Sequence, residues 1–101
     1  MPTRKTSGGR KEPKRIEKEF TISNKLGLHA RPAALFVQTA NRFEAIVEIY
    51  KEDMKVDGKS IMGIMTLAAE MGSVIKILTA GRDADAAMDA LAKLIETNFG
   101  E

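Results

Sequence analysis

From Glu19 the chain alternates, with Phe20 and Ile22 on one side and Thr21 and Ser23 on the other, the period of a half-buried strand. Asn24 to Leu28, with Gly27, reads as a loop. Ala33, Phe36, Val37, Ala40 and Phe43 then recur at spacings of three and four and predict a helix that Pro32 begins, since proline fits a first turn and disfavours the interior. A second strand is expected over Ala45–Lys51 and a short third over Met54–Val56, after a turn at Glu52-Asp53. Asp57-Gly58 breaks the chain. Ser60 is a good N-cap for a helix over Ile61–Met71, with Ile61, Ile64, Met65, Ala68 and Met71 as its apolar stripe and Gly72 as its stop. Ser73–Ala80 predicts a fourth strand, and Asp83 is placed to cap a last helix whose Ala87, Met88, Leu91, Leu94 and Ile95 share a face.

The resulting order is β-α-β-β-α-β-α. Alternating strands need one wet face, so three helices are expected on the other face of a four-stranded antiparallel sheet. The fold class is α+β, an open-faced two-layer β-sandwich occupying residues 19–101. Residues 1–18 read as a flexible basic tail: they carry Gly8-Gly9, Pro2 and Pro13 but a single large apolar residue after Met1, Ile16, too little to offset the entropy of ordering.

Composition sharpens this picture. At 101 residues, 44% hydrophobic and 30% charged, the chain suits one globular domain and excludes a multidomain enzyme. The net charge of +2 hides an asymmetry: residues 1–19 hold seven Lys/Arg against three Asp/Glu, a basic excess that could meet RNA, anionic lipid or an acidic partner, or merely solubilise the chain. With no cysteine, disulfides, thiol catalysis and thiolate metal sites are excluded, and one histidine excludes a multi-histidine centre. No metal or other cofactor is called for. No apolar run nears the roughly 20 residues that span a bilayer, and the first residues lack the apolar segment of a signal peptide. The expectation is a cytoplasmic protein without membrane insertion.

The chemistry concentrates in Gly27-Leu28-His29-Ala30-Arg31-Pro32-Ala33. His29 falls where a cap would sit and Arg31 in the first helical turn, where a cation is unfavourable beside the partial positive charge of the helix N-terminus. Free backbone donors, the dipole and a guanidinium fork together suit a phosphoryl group, next to an imidazole whose neutral form is nucleophilic. The plainer alternative is an N-cap or surface His29 and a solvated Arg31. Neither a G-x-S-x-G nucleophile elbow nor a Walker-type loop is present. At the second helix start, Ser60 either only caps or also takes a phosphoryl group. Ile61 and Met62 are consecutive in the first turn, so one of them is left over for a docking patch, expected around Met62 and Leu67 or its neighbours.

Residues 19–101 resemble HPr, the histidine-containing phosphocarrier family of the bacterial phosphoenolpyruvate-dependent phosphotransferase system. Gly27 to Ala33 is similar to the family's active-site signature, and Lys59-Ser60-Ile61-Met62-Gly63-Ile64-Met65 resembles its regulatory-serine signature. The resemblance implies that His29 takes a phosphoryl group on Nδ1 from enzyme I and passes it to an EIIA domain in sugar uptake or its regulation. Arg31 matches the active-site arginine and Pro32, beside Ala30, the proline that starts the helix. Ser60 matches the serine modified by HPr kinase/phosphorylase, while Ile61 and Met62 match partner-docking residues. Such a protein is a phosphorylated intermediate without turnover of its own, expected to be a monomer because transfer needs an exposed histidine. Asn24-Lys25-Leu26-Gly27 and the ending Thr97 to Glu101 resemble the nitrogen-related NPr branch, the serine motif the kinase-linked HPr branch. Nothing in the resemblance covers the tail.

Two competing functions differ in class. One is a regulatory interaction module in which phospho-Ser60 recruits a transcriptional regulator and His29 is incidental. The other is a small RNA-binding domain using the tail; four Phe and one Tyr are few for stacking bases, so no nucleic acid is expected as a partner.

Overall fold

Strand alternation resolves into a sheet with one dry and one wet face. The computed structural model describes residues 14–100: β1 (Arg15–Thr21), α1 (Ala30–Ala40), β2 (Ile46–Lys51), β3 (Met54–Asp57), α2 (Ile61–Thr66), β4 (Val74–Ala80) and α3 (Ala84–Glu96), then a 3-10 turn at Asn98–Gly100. All strand pairs are antiparallel in the order β1-β4-β2-β3. Residues directly opposite share a face, so Ile16, Thr79 and Val47 form one inward row and Ile77 and Ile49 the next, with the exposed Lys18 at its edge. Val47, Ile49, Ile75 and Ile77 pack with Phe36, Val37, Ile64, Met88 and Leu91 in one core. The α+β open-faced sandwich is therefore as expected.

The opposite face is laced with charge. Lys76 pairs with Glu17 at 3.3 Å and Lys55 with Glu48 at 3.7 Å. The Tyr50 hydroxyl donates to Glu48 at 2.8 Å, which raises the phenol's pKa, and Lys76 lies over the Tyr50 ring at 4.9 Å.

Several expected boundaries move. β1 begins at Arg15, so residues 15–18, assigned from sequence to the flexible tail, are sheet. Their polarity concealed this: as an edge strand β1 is fixed by pairing with β4, and its side chains from Glu17 to Glu19 are exposed. Residues 1–13 lie outside the described residues. α1 runs from Ala30 to Ala40 with Asn41 as C-cap, leaving Phe43 beyond it. α2 stops at Thr66 rather than Met71, because Ala68 is left-handed (φ 51°), a conformation costing an alanine about 1 kcal/mol. Of the expected α2 stripe only Ile64 is buried; Ile61, Met65 and Met71 are exposed. Leu67, placed from sequence in the docking patch, is 2% exposed and belongs to the core. Asp83 stands at the N-cap of α3 but does not cap it. Its carboxylate instead accepts the Glu44 and Ala45 N–H groups at 2.9 and 2.8 Å, tying α3 to the start of β2. Among the described residues no helix is long and apolar enough to cross a membrane.

Candidate functional site

His29 is the N-cap of α1, with extended backbone (φ −80°, ψ −169°). A serine or aspartate there would turn its oxygen onto the first-turn N–H groups; the His29 side chain makes no such bond. The first backbone bond of the helix runs from the Ala33 N–H to the His29 carbonyl at 3.0 Å, so the Ala30 and Arg31 N–H groups precede the helical ladder and Pro32 has none to leave orphaned. Proline thus sits two residues after the helix begins, at no hydrogen-bond cost. Arg31 and Ala30 are exposed, Pro32 is buried and His29 half-buried. The first turn contains no acidic residue, so the cation and the helix dipole add. Together they suit a ligand dianion at the end of α1, beside the imidazole.

The loop that delivers His29 is locked to the far side of α2. The Ile22 N–H donates to Ser73 at 2.8 Å, Gly72 N–H to Ile22 at 2.7 Å and Leu28 N–H to Ala69 at 2.8 Å. Gly27 must be glycine: its φ is +68°, and a Cβ there would lie 2.3 Å from the Ala69 carbonyl oxygen. In the sequence Gly27 stands as a loop former at the head of the His29 motif. Its close approach to Ala69 joins residues far apart in the chain, and no local pattern announces it.

Ser60 caps α2 as expected, its Oγ accepting the Gly63 N–H at 3.0 Å. Ile61 and Met62 follow, 40% and 74% exposed, and Met65 joins them at 41%. Leu26, 72% exposed, precedes Gly27 and so projects from the loop that packs on Ala69. α1 and α2 touch, and the loop that leads into α1 is bonded through Leu28 to Ala69, just beyond α2. A groove of about 450 Å³ lies elsewhere, between β2 and β3, lined by Ile46, Val47, Val56 and Lys59 among others. The candidate site is a helix end at which Ala30 and Arg31 are exposed and His29 is half-buried.

A family model described as the PTS HPr component phosphorylation site matches residues 16–97. The chain belongs to the HPr family. It is 52% identical over 81 residues to the HPr-like protein Crh of Halalkalibacterium halodurans, covering 80% of this chain and 96% of that one. The phosphocarrier protein HPr of Neisseria meningitidis is 50% identical over 86 residues, 85% of this chain and 97% of its own. Among solved structures, HPr-C-His from Thermoanaerobacter tengcongensis matches with a TM-score of 0.83 at 51% identity, over 85% of this chain and 97% of that chain. This HPr-family chain is thus a phosphocarrier of the phosphotransferase system in fold and sequence.

Proposed function

We propose that His29 is the phosphoryl acceptor of this phosphocarrier, charged by enzyme I with a group derived from phosphoenolpyruvate and discharged to an EIIA component. The carrying observation is a helix start whose capping residue leaves the first-turn donors uncapped and whose first turn adds Arg31 with no acid beside it. An imidazole nitrogen attacks phosphorus; the N–P bond forms as the bond to the donor atom breaks, and the donor keeps that electron pair. Arg31 and the N–H groups after His29 orient the phosphoryl oxygens while Ala30 and Pro32 shape the turn. Positioning and modest charge stabilisation suffice, because the partner brings the other reacting group. Ile61 and Met62 form the apolar centre of a small transient interface. The chain acts as a monomer, in the cytoplasm, where its partners meet it.

A second reading takes Ser60 as the controlling site, modified by an HPr kinase/phosphorylase and read by a transcriptional regulator. It is favoured by the place of Ser60 at a helix start, where an added dianion is stabilised. The RNA alternative loses support: Tyr50, the aromatic residue on the outward face of the strands, is engaged by Glu48 and Lys76.

Intact-mass analysis after mixing the chain with enzyme I and phosphoenolpyruvate separates the readings. One acid-labile phosphoryl group on the native chain and none on His29→Ala is the expected result. No transfer to a folded native chain would overturn the carrier reading and leave the Ser60 module, for which the kinase assay is then decisive.

A further inference from the structure

We propose that Asn24 is a positioning residue for His29, holding Gly27 at both its N–H and its carbonyl and so fixing the backbone from which the imidazole projects. The inference deepens the reading of His29 as phosphoryl acceptor and rests on it. Asn24 lies in the turn between β1 and α1 and is only 4% exposed. Its backbone carbonyl accepts the Gly27 N–H at 3.1 Å, closing the turn. Its side-chain Nδ2 donates to the Gly27 carbonyl at 2.6 Å. That same carbonyl accepts the His29 N–H at 2.9 Å. A carbonyl oxygen has two lone pairs and can serve both donors. The amide of Asn24 and the backbone of the site residue therefore meet at one atom.

The bond from the His29 N–H back to Gly27 spans only three residues, the ring of a γ-turn centred on Leu28. Such a ring is tight and gains little by itself, so what holds its acceptor carbonyl decides whether it persists. On one side the Leu28 N–H is bonded to Ala69; on the other stands the Asn24 amide. Of these holds only the amide is a side chain that substitution can remove without touching the backbone.

The other half of that amide argues that an ordinary turn former is not the whole account. Asn24 Oδ1 is buried and has no hydrogen-bond partner among the described residues, an unfavourable state for an amide oxygen. Turning the amide over would satisfy nothing, since it would set oxygen against the Gly27 carbonyl. Among the described residues this oxygen without a protein partner belongs to the side chain whose nitrogen braces the carbonyl that holds His29. A turn needed only for chain reversal is served by an exposed asparagine, with both amide atoms in water.

The test compares wild type with Asn24→Ala and Asn24→Asp, the second keeping the shape but replacing the donor by a carboxylate oxygen. Phosphoryl acceptance from phosphorylated enzyme I is measured per folded molecule, beside the thermal midpoint and the 15N shifts of the His29 amide and imidazole. Misplacing a reacting group by a fraction of an ångström predicts a loss of about tenfold or more in both variants, with displaced His29 resonances. Variants that melt lower but transfer at the wild-type rate with unmoved His29 resonances would show a purely structural role and overturn the proposal. If neither variant folds, wild type still decides: a hydrogen-bond coupling between Asn24 Nδ2 and the Gly27 carbonyl carbon is expected, and its absence overturns the clamp. Failure of wild type itself to accept a phosphoryl group would instead overturn the carrier reading, so the two failures are distinguishable.

Discussion

The starts of α1 and α2 are built alike and finished differently. Both N-caps have extended backbone, and neither first turn contains an acidic residue. At α2 the cap is Ser60, whose Oγ takes the Gly63 N–H at 3.0 Å; Gly63, whose Cβ would come within 3.3 Å of that oxygen, leaves it room. At α1 the cap is His29, whose side chain makes no capping hydrogen bond. One helix end closes on itself, and the other keeps its donors and adds Arg31. A helix can thus forgo a cap worth about 1 kcal/mol, and the proposed phosphoryl site gives that choice a reason.

The sharpest way to break the contrast is to make α1 resemble α2. His29→Ser should gain about 1 kcal/mol in urea unfolding by supplying the missing cap while abolishing phosphoryl acceptance in the mass assay; retained acceptance would mean that the group goes elsewhere. Arg31→Ala removes the added cation. Loss of a charge-assisted hydrogen bond of roughly 1.5–3 kcal/mol predicts a transfer rate lower by about one to two orders of magnitude, while stability rises by about 0.3–1 kcal/mol as the clash with the dipole is relieved. A slower rate together with lower stability would count against the anion account.

At the other helix, Ser60→Ala should cost about 1 kcal/mol in the same unfolding experiment, because Gly63 N–H loses its acceptor. No change would show that the cap contributes nothing there. The smallest effect concerns Asp83, an N-cap by position that serves another element. The Glu44 N–H holds its carboxyl below the ordinary value near 3.8; burial opposes it less strongly, and the Ala45 N–H adds a still smaller lowering. A folded pKa below the unfolded one contributes stability above the unfolded value, lost as pH falls through the folded one. Asp83→Asn should therefore flatten the acid limb of the stability profile; an unaltered limb would contradict this.

What could be read in advance follows the range of the forces involved. The strand and helix order, and His29 with Arg31 at a helix start, depend on neighbours along the chain and were legible. Asp83 was misread because its acceptors' donors lie 39 and 38 residues away, while its position before α3 looks like a cap. The early stop of α2 rests on a left-handed Ala68, and alanine gives no local sign of that conformation. β1 was shortened because an edge strand paired to β4 needs little apolar pattern in Arg15 to Lys18. Gly27 and Asn24 were seen as turn residues, but the Ala69 contact and the shared carbonyl are products of the folded chain.

We propose His29, at the uncapped end of α1, as the residue that receives the phosphoryl group. The direct measurement is 15N and 31P NMR of 15N-labelled protein charged by enzyme I and phosphoenolpyruvate, which reads the bonded nitrogen. A nitrogen–phosphorus coupling at the His29 ring, with the first-turn amides of Ala30 and Arg31 shifted downfield, is the predicted result. A phosphoryl group found only on Ser60, or none on a folded chain, would contradict it.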